Sequence, residues 1–320
     1  MNEFSVIKKY FSNLSKNNRG SFDLSDDIFF DYKKKVGISI DSYVEGTHFL
    51  NFKNPNLVIK KALRGAISDL ICKGIIPKYY FMSCSGNKKH LTQANLAKIK
   101  LALKQEQIKY NIFLAGGDTS YSNRLSITVS VVGYSKKSPV LRSGAKVNDD
   151  IYITNTIGDA FIGLKLLKGK IKLSKKNSDY FVRRFYLPIL PIKFSKRIHL
   201  FANSAIDISD GFFQDLQHIL SRSNLSSKIF KNKIPISSYL NSYLIRTKKN
   251  KLNFISNGDD YQILFTASKK MRHLIKKISK STSTKISIVG IVKNKSISKN
   301  TKSTDEKFKF PKKLGYIHNF

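Results

Sequence analysis

Short apolar runs of strand length alternate with longer amphipathic runs along this chain, and few folds accept that alternation. Residues 36–41 (VGISID), 78–85 (KYYFMSCS) and 124–134 (RLSITVSVVGY) are rich in β-branched or aromatic side chains and predict strands. Residues 56–74 and 91–109 instead carry apolar side chains at helical spacing, and Gly74 and Pro77 stop the first of these runs. Helical spacing also runs through residues 4–16. Residues 111–120 (NIFLAGGDTS) predict a strand that ends in a glycine turn. The pattern resumes near residue 150 with strand, turn and helix. A polar loop follows over 168–180, then a helix over 191–202 and a strand entering a helix over 204–220. A turn and strand over 254–268 and a strand over 285–292 complete it, while residues 221–253 are rich in Ser, Lys and Asn and show no usable period. Strands and helices interleaved in this way predict an α/β or α+β fold.

At roughly 150 residues per domain, 320 residues predict about two domains. The composition shifts over residues 135–150, where Pro139 and Gly144 sit among polar side chains, so the boundaries fall at 1–138 and 145–320. Hydrophobic residues make up 41%, which excludes a wholly disordered chain. Two cysteines, Cys72 and Cys84, exclude a disulfide framework and a four-cysteine zinc site. No run approaches the ~20 apolar residues of a membrane span, and the start MNEFSVIKKYF lacks the apolar core of a signal peptide. These features predict a cytoplasmic protein with no membrane partner.

Lys+Arg exceed Asp+Glu by 58 − 21 = 37. Such a charge invites a nucleic-acid-binding reading, the rival from a different functional class. The lysines, however, are scattered through loops and polar faces among Asn, Ser and Ile, which is the mark of a compositional bias rather than of a dedicated nucleic-acid surface.

The 21 carboxylates carry more information because they are scarce, and eleven of them fall in a few short islands. Clustered oxygen ligands suit hard cations such as magnesium. Asp26-Asp27 precedes an apolar pair and reads either as a turn or as a metal-holding pair. IDSYVEGTHF (residues 40–49) puts Asp41 at a strand end, and His48 there reads as a loop histidine or a site residue. Asp69 lies in an apolar stretch of helix, where an ionised carboxylate needs a lysine or a metal as partner. LAGGDTS (residues 114–120) is either a plain turn or a place where side-chain-free backbone meets a phosphate. IDISDGFFQDL (residues 206–216) sets Asp207 and Asp210 three apart around Ser209 at a helix start; the free N–H groups there suit phosphate, although a simple N-cap also explains it. SNGDDYQILF (residues 256–265) repeats glycine and acids before a strand. No Walker loop, G-x-G-x-x-G fingerprint, protein-kinase signature set or H-E-x-x-H motif is present.

In their order these segments resemble the thiamine-monophosphate kinase family, which shares a superfamily with aminoimidazole ribonucleotide synthetase and selenophosphate synthetase. The family pattern reads GDD, TD-x-x-VEG-x-HF, SDLAAMG, GGDT, LRSGA, D-[IL]-SDGL, GGEDYEL and G[WY]-x-HF. This chain has SDD, IDSYVEGTHF, SDLICKG, GGDT, LRSGA, DISDGF, NGDDYQI and GYIHNF, over residues 3–320. The resemblance implies two domains. The first contributes half of a β-barrel closed by a second copy of the chain in a homodimer, and the second is an α/β domain. It implies magnesium and ATP as cofactor and co-substrate, and thiamine monophosphate as acceptor. Asp27, Ser39, Ile40 (through its backbone carbonyl), Asp41, Asp69, Asp118, Asp207 and Asp210 would organise the metal. Tyr110, Gly117, Asp118, Arg142 and Ser209 would contact ATP. His48, Asp259 and Tyr316 would line the thiamine-phosphate end. Three positions depart from the pattern: Ile40 replaces Thr or Ser, Asp259 replaces Glu, and Asn257 replaces Gly.

The implied reaction is ATP + thiamine monophosphate → ADP + thiamine diphosphate by in-line transfer. The acceptor is already an anion, so the chemistry calls for relief of repulsion between two polyanions rather than for a strong base. A sister activity of the superfamily is the nearest alternative. The selenophosphate branch calls for a reactive cysteine near the N-terminus, whereas Cys72 and Cys84 lie within a predicted helix and strand.

Overall fold

Strand β5 (Ser126–Tyr134) shows how the first sheet is built. Ile127, Val129 and Val131 are buried on one face while the alternate residues stay partly open, the two-residue period of a half-covered strand. Around it run β1 (Phe29–Asp31), β2 (Val36–Val44), β3 (Ile76–Gly86) and β4 (Phe113–Tyr121) in the order β1-β2-β5-β3-β4. All pairs are antiparallel except β3–β4, which the helix Gln93–Tyr110 connects as a parallel crossover. The helix Pro55–Cys72 covers the inner face with Ala62, Ala66, Ile67 and Leu70, all fully buried. Pro55 at its first position suits its start. The other face is bare: Ile40 is 66% exposed, and Phe81, Phe113 and Tyr134 are also open.

The second sheet is antiparallel throughout, with β6 (Asp150–Thr154), β7 (Ala202–Asp207), β8 (Leu225–Ile229), β9 (Ile263–Ala267) and β10 (Ile286–Asn294) in the order β7-β9-β6-β10-β8. Every residue of the central strands β6 and β9 is buried because both faces are covered. Ile151, Ile153 and Leu264 pack on the side of the helix Phe212–Arg222. Tyr152, Ile263 and Phe265 pack on the side of the helix Arg272–Thr282. The computed structural model describes residues 3–295 and 314–316, so Ile317–Phe320 of the GYIHNF segment lies outside the described residues.

The two halves share core. Phe185 and Tyr186, at the end of the helix Lys175–Tyr186, are buried with the first sheet's cluster. Cys72 is buried with Phe194, Ile198 and Val140 on the other side.

Several segments differ from the sequence expectation. GGDT is not a turn, because Gly116, Gly117 and Asp118 lie inside β4. A Cβ on Gly117 would sit 2.0 Å from the Met82 carbonyl oxygen, so that glycine serves close strand approach beside a bulge in β4 at Ala115. The predicted loop 168–180 holds the start of the helix Lys175–Tyr186. Its Lys, Asn and Ser residues are the outer face of a helix that buries Phe181 and Phe185, four apart. Residues 191–202 shrink to two short turns, Ile192–Ser195 and Ile198–Leu200. The aperiodic 221–253 contains β8 and the helix Ser238–Thr247, capped by the Ser237 side chain on Leu240 N. Residues 4–16 form irregular helical turns rather than one helix.

Candidate active site

Four separate stretches bring acids to one place. Asp26-Asp27 lies in the loop before β1, Asp41 near the end of β2, and Asp69 in the helix Pro55–Cys72. Asp207 is the last residue of β7. Carboxylate oxygens of Asp27, Asp69 and Asp207 lie within 4.8 Å of one another. A second group, Asp210, Asp215 and His218, adjoins it at the start of the helix Phe212–Arg222.

The electrostatics follow from crowding acids away from water. Burial, then repulsion from Asp207 and Asp27, raises Asp41 to about 7. Burial, then Asp27, raises Asp207 to about 6, and burial, then Asp207, raises Asp210 to about 7. Burial lifts Asp69 and Asp215 well above the carboxylate range. Asp27 alone of the group moves down: its burial penalty is outweighed by Arg142 and Lys73. Such a nest cannot be fully ionised without cations.

The residues present fit magnesium. The ligand set is all oxygen, and Asp27 Oδ2 is buried with no hydrogen-bond partner among the described residues. Arg142 pairs through its guanidinium with Asp27, while its buried Nε is likewise unpartnered, so the cluster keeps an acceptor and a donor for a ligand.

Each expected residue has a definite place. Ser39 is buried, and its hydroxyl donates to the Ala66 carbonyl at 2.8 Å, pinning β2 to the helix that carries Asp69. The Ile40 side chain points to the opposite, bare face. Ser209 lies between Asp207 and Asp210, and its carbonyl accepts from Asp259 N at 2.9 Å. Gly258 permits that approach, since a Cβ there would lie 1.6 Å from the Ser209 oxygen. Asp259 accepts from Lys61 Nζ at 2.8 Å and from the Tyr261 hydroxyl at 3.3 Å. Tyr261 meets Tyr43 at 3.1 Å between hydroxyls, and Tyr43 reaches Asp41 Oδ2 at 3.5 Å, so polar contacts join Asp259 to the nest. His48 Nδ1 accepts from Val44 N at 3.0 Å beside the Tyr43 ring. Tyr316 N donates to the Asp210 carbonyl at 3.0 Å, which lays residues 314–316 over the helix start.

Three expected residues stand apart. Asp41, Val129, Met82 and Gly117 occupy one transverse row of the first sheet. Gly117 is therefore three strand spacings, roughly 14 Å, from Asp41. Asp118 follows it on the exposed edge strand. Tyr110 ends its helix beside Arg64 and Lys109, with its buried hydroxyl unpartnered among the described residues.

The motifs contain Ser68, whose hydroxyl bonds Asp207, as well as Lys73 and Asp215, but gave these residues no role, and Lys61 lies outside them. For Lys73 the signal was there to read: SDLICKG places a lysine in a segment otherwise apolar after Asp69.

Comparison with known proteins fits this layout. Residues 25–135 match the family model described as AIR synthase related protein, N-terminal domain. The chain is 35% identical over 326 residues to a thiamine-monophosphate kinase of Buchnera aphidicola subsp. Acyrthosiphon pisum, covering 99% of this chain and 98% of that one. It is 31% identical over 238 residues to a thiamine-monophosphate kinase of Aquifex aeolicus, covering 74% and 77%. Among solved structures, AaThiL complexed with AMPPCP and TMP superposes with a TM-score of 0.84 at 26% identity, covering 99% of this chain and 97% of that one.

Proposed function

This chain belongs to the thiamine-monophosphate kinase family, and from that premise we propose how its cleft acts. It is a kinase that uses ATP to phosphorylate thiamine monophosphate. The observation that carries the reading is the convergence of Asp27, Asp69 and Asp207 oxygens within 4.8 Å, from three segments far apart in sequence.

Asp27, Asp41, Asp69, Asp207 and Asp210, with Ser39 and the Ile40 carbonyl beside them, hold magnesium. When bound, magnesium neutralises charge between the two phosphorylated substrates. Arg142 binds the nucleotide phosphates, exchanging part of its bond to Asp27 for a phosphate oxygen. Ser209 and the N–H groups of the first turn of the helix Phe212–Arg222 receive phosphate. His48, Asp259 and Tyr316 orient the thiamine end. Together these residues fix the acceptor oxygen in line with the γ-phosphorus, and positioning is the main source of rate.

The enzyme works in the cytoplasm as a homodimer. The bare face of the first sheet, with Ile40, Phe81 and Phe113, closes against a second copy into a barrel. Gly117, Asp118 and Tyr110 then serve the nucleotide across that interface rather than within one chain.

The deciding assay is ADP release by purified protein with thiamine monophosphate and magnesium. Turnover with thiamine monophosphate, and none with thiamine or an aminoimidazole precursor, is expected. Equal turnover on the aminoimidazole precursor would move the chain to a sister activity.

A further inference from the structure

Lys73 is the most deeply set cation of the nest. Its side chain has 0% exposure, and Nζ lies 2.8 Å from Asp26 Oδ1 and 4.0 Å from Asp27 Oδ2. It also donates to the Ala205 carbonyl of β7 at 2.8 Å, so one ammonium ties the loop before β1 to the strand that carries Asp207.

Asp26 and Asp27 are used differently. Asp26 is committed inside the protein: besides Lys73, its Oδ1 accepts from Asp27 N at 2.9 Å and its Oδ2 from Arg142 N at 2.8 Å. Asp27 Oδ2 is buried without a donor, and Lys73 stands beyond hydrogen-bond distance from it. A divalent ion accepted at Asp27 thus becomes the like-charged neighbour of an ammonium that cannot move into water.

We propose that Lys73 is a resident counter-ion of the nest, which keeps the Asp26–Asp27 loop docked before metal arrives and holds divalent affinity below what the carboxylates alone would give. This rests on the reading of the nest as a metal site. The family pattern SDLAAMG has methionine where this chain has Lys73, and Lys73→Met keeps the length of the side chain while removing its charge.

The test is Mn2+ binding to the nucleotide-free full-length chain, followed by electron paramagnetic resonance, with thermal unfolding in chelator alongside. Lys73→Met is expected to bind Mn2+ roughly 10-fold more tightly than wild type, the scale of a like-charge encounter at close range, and to melt earlier in chelator. Asp26→Asn/Lys73→Met is expected to exceed Asp26→Asn alone by a similar factor. The double variant leaves neither buried ion of the pair uncompensated, so it decides the matter if the single variant does not fold. Unchanged or weaker binding on loss of Lys73 in either background would make the lysine only a brace and overturn the proposal. If wild type itself bound no Mn2+, the metal reading of the nest would fall, and this inference with it.

Discussion

Ser68 Oγ donates to Asp207 Oδ2 across 2.8 Å, so the helix Pro55–Cys72 and the end of β7 meet through a hydroxyl and a buried carboxylate. Because Asp207 is raised to about 6, its ionised form is penalised in the folded chain without metal. Its carboxylate therefore lowers stability as pH rises from about 4 to about 6, a loss on the order of 3 kcal/mol that is complete at pH 8. Asp207→Asn still accepts from Ser68. The variant is expected to lose at least about 100-fold in kcat while melting at the same or a higher temperature than wild type in chelator at pH 8. Loss of stability together with activity would mean that Asp207 mainly holds the fold.

A structural control lies one turn before Ser68 on the same helix. Arg64 forks onto Glu106 with two bonds of 2.7 Å and donates to the Pro188 carbonyl at 3.0 Å, all buried. Glu106→Ala leaves a buried guanidinium without its counter-charge, a loss of about 3–5 kcal/mol. Urea unfolding measures it, and the surviving folded fraction is expected to keep its magnesium midpoint.

The pH dependence of metal binding has a definite sign. Asp41 and Asp210 are raised to about 7 and Asp207 to about 6 by burial and mutual repulsion. From about pH 4 to pH 7 the folded chain holds protons that the unfolded chain has released, so the metal-free protein loses stability as pH rises through that window. Magnesium must displace those protons, and its affinity is expected to rise from pH 6 to pH 8. Calorimetry in two buffers of different ionisation heat reads the proton release directly. A pH-independent affinity with no release would contradict the assignment.

The acids were legible in the sequence because they are scarce and each follows an apolar strand run or interrupts an apolar helix, although β2 runs three residues past Asp41. Asp41, Asp69 and Asp207 could be found by that rule alone. What joins them was not legible. Lys73 bonds a carboxylate 47 positions earlier and a carbonyl 132 positions later, and no local pattern encodes such a pairing. The glycines of GGDT misled for the opposite reason: the local rule favours a turn, whereas contact with Met82 across β3 decided the geometry. The helices at 175–186 and 272–282 were hidden by basic outer faces, since burial of Phe181 and Phe185 against neighbouring helices, or of Ile275 and Ile278 against the second sheet, is what settles them.

The last prediction concerns the departure at Asp259. Its backbone has φ +68°, a region in which Asp and Asn are enriched over longer side chains. Its carboxylate meets Lys61, which is 1% exposed, donates to the His48 carbonyl at 3.0 Å, and lies 3.5 Å over the Phe185 ring. Asp259 thus compensates a buried ammonium and at the same time faces the proposed thiamine end. Asp259→Ala removes the counter-charge and is expected to destabilise by about 3 kcal/mol, which obscures any kinetic effect. Asp259→Asn keeps an acceptor for Lys61 and separates the two roles. It is expected to raise the KM for thiamine monophosphate about 10-fold and to leave the KM for ATP within about twofold, since ground-state binding of one substrate is what it weakens. Steady-state kinetics with each substrate varied in turn gives both values. Equal increases in the two would show that Asp259 acts through the Tyr261–Tyr43–Asp41 contacts on the metal nest instead.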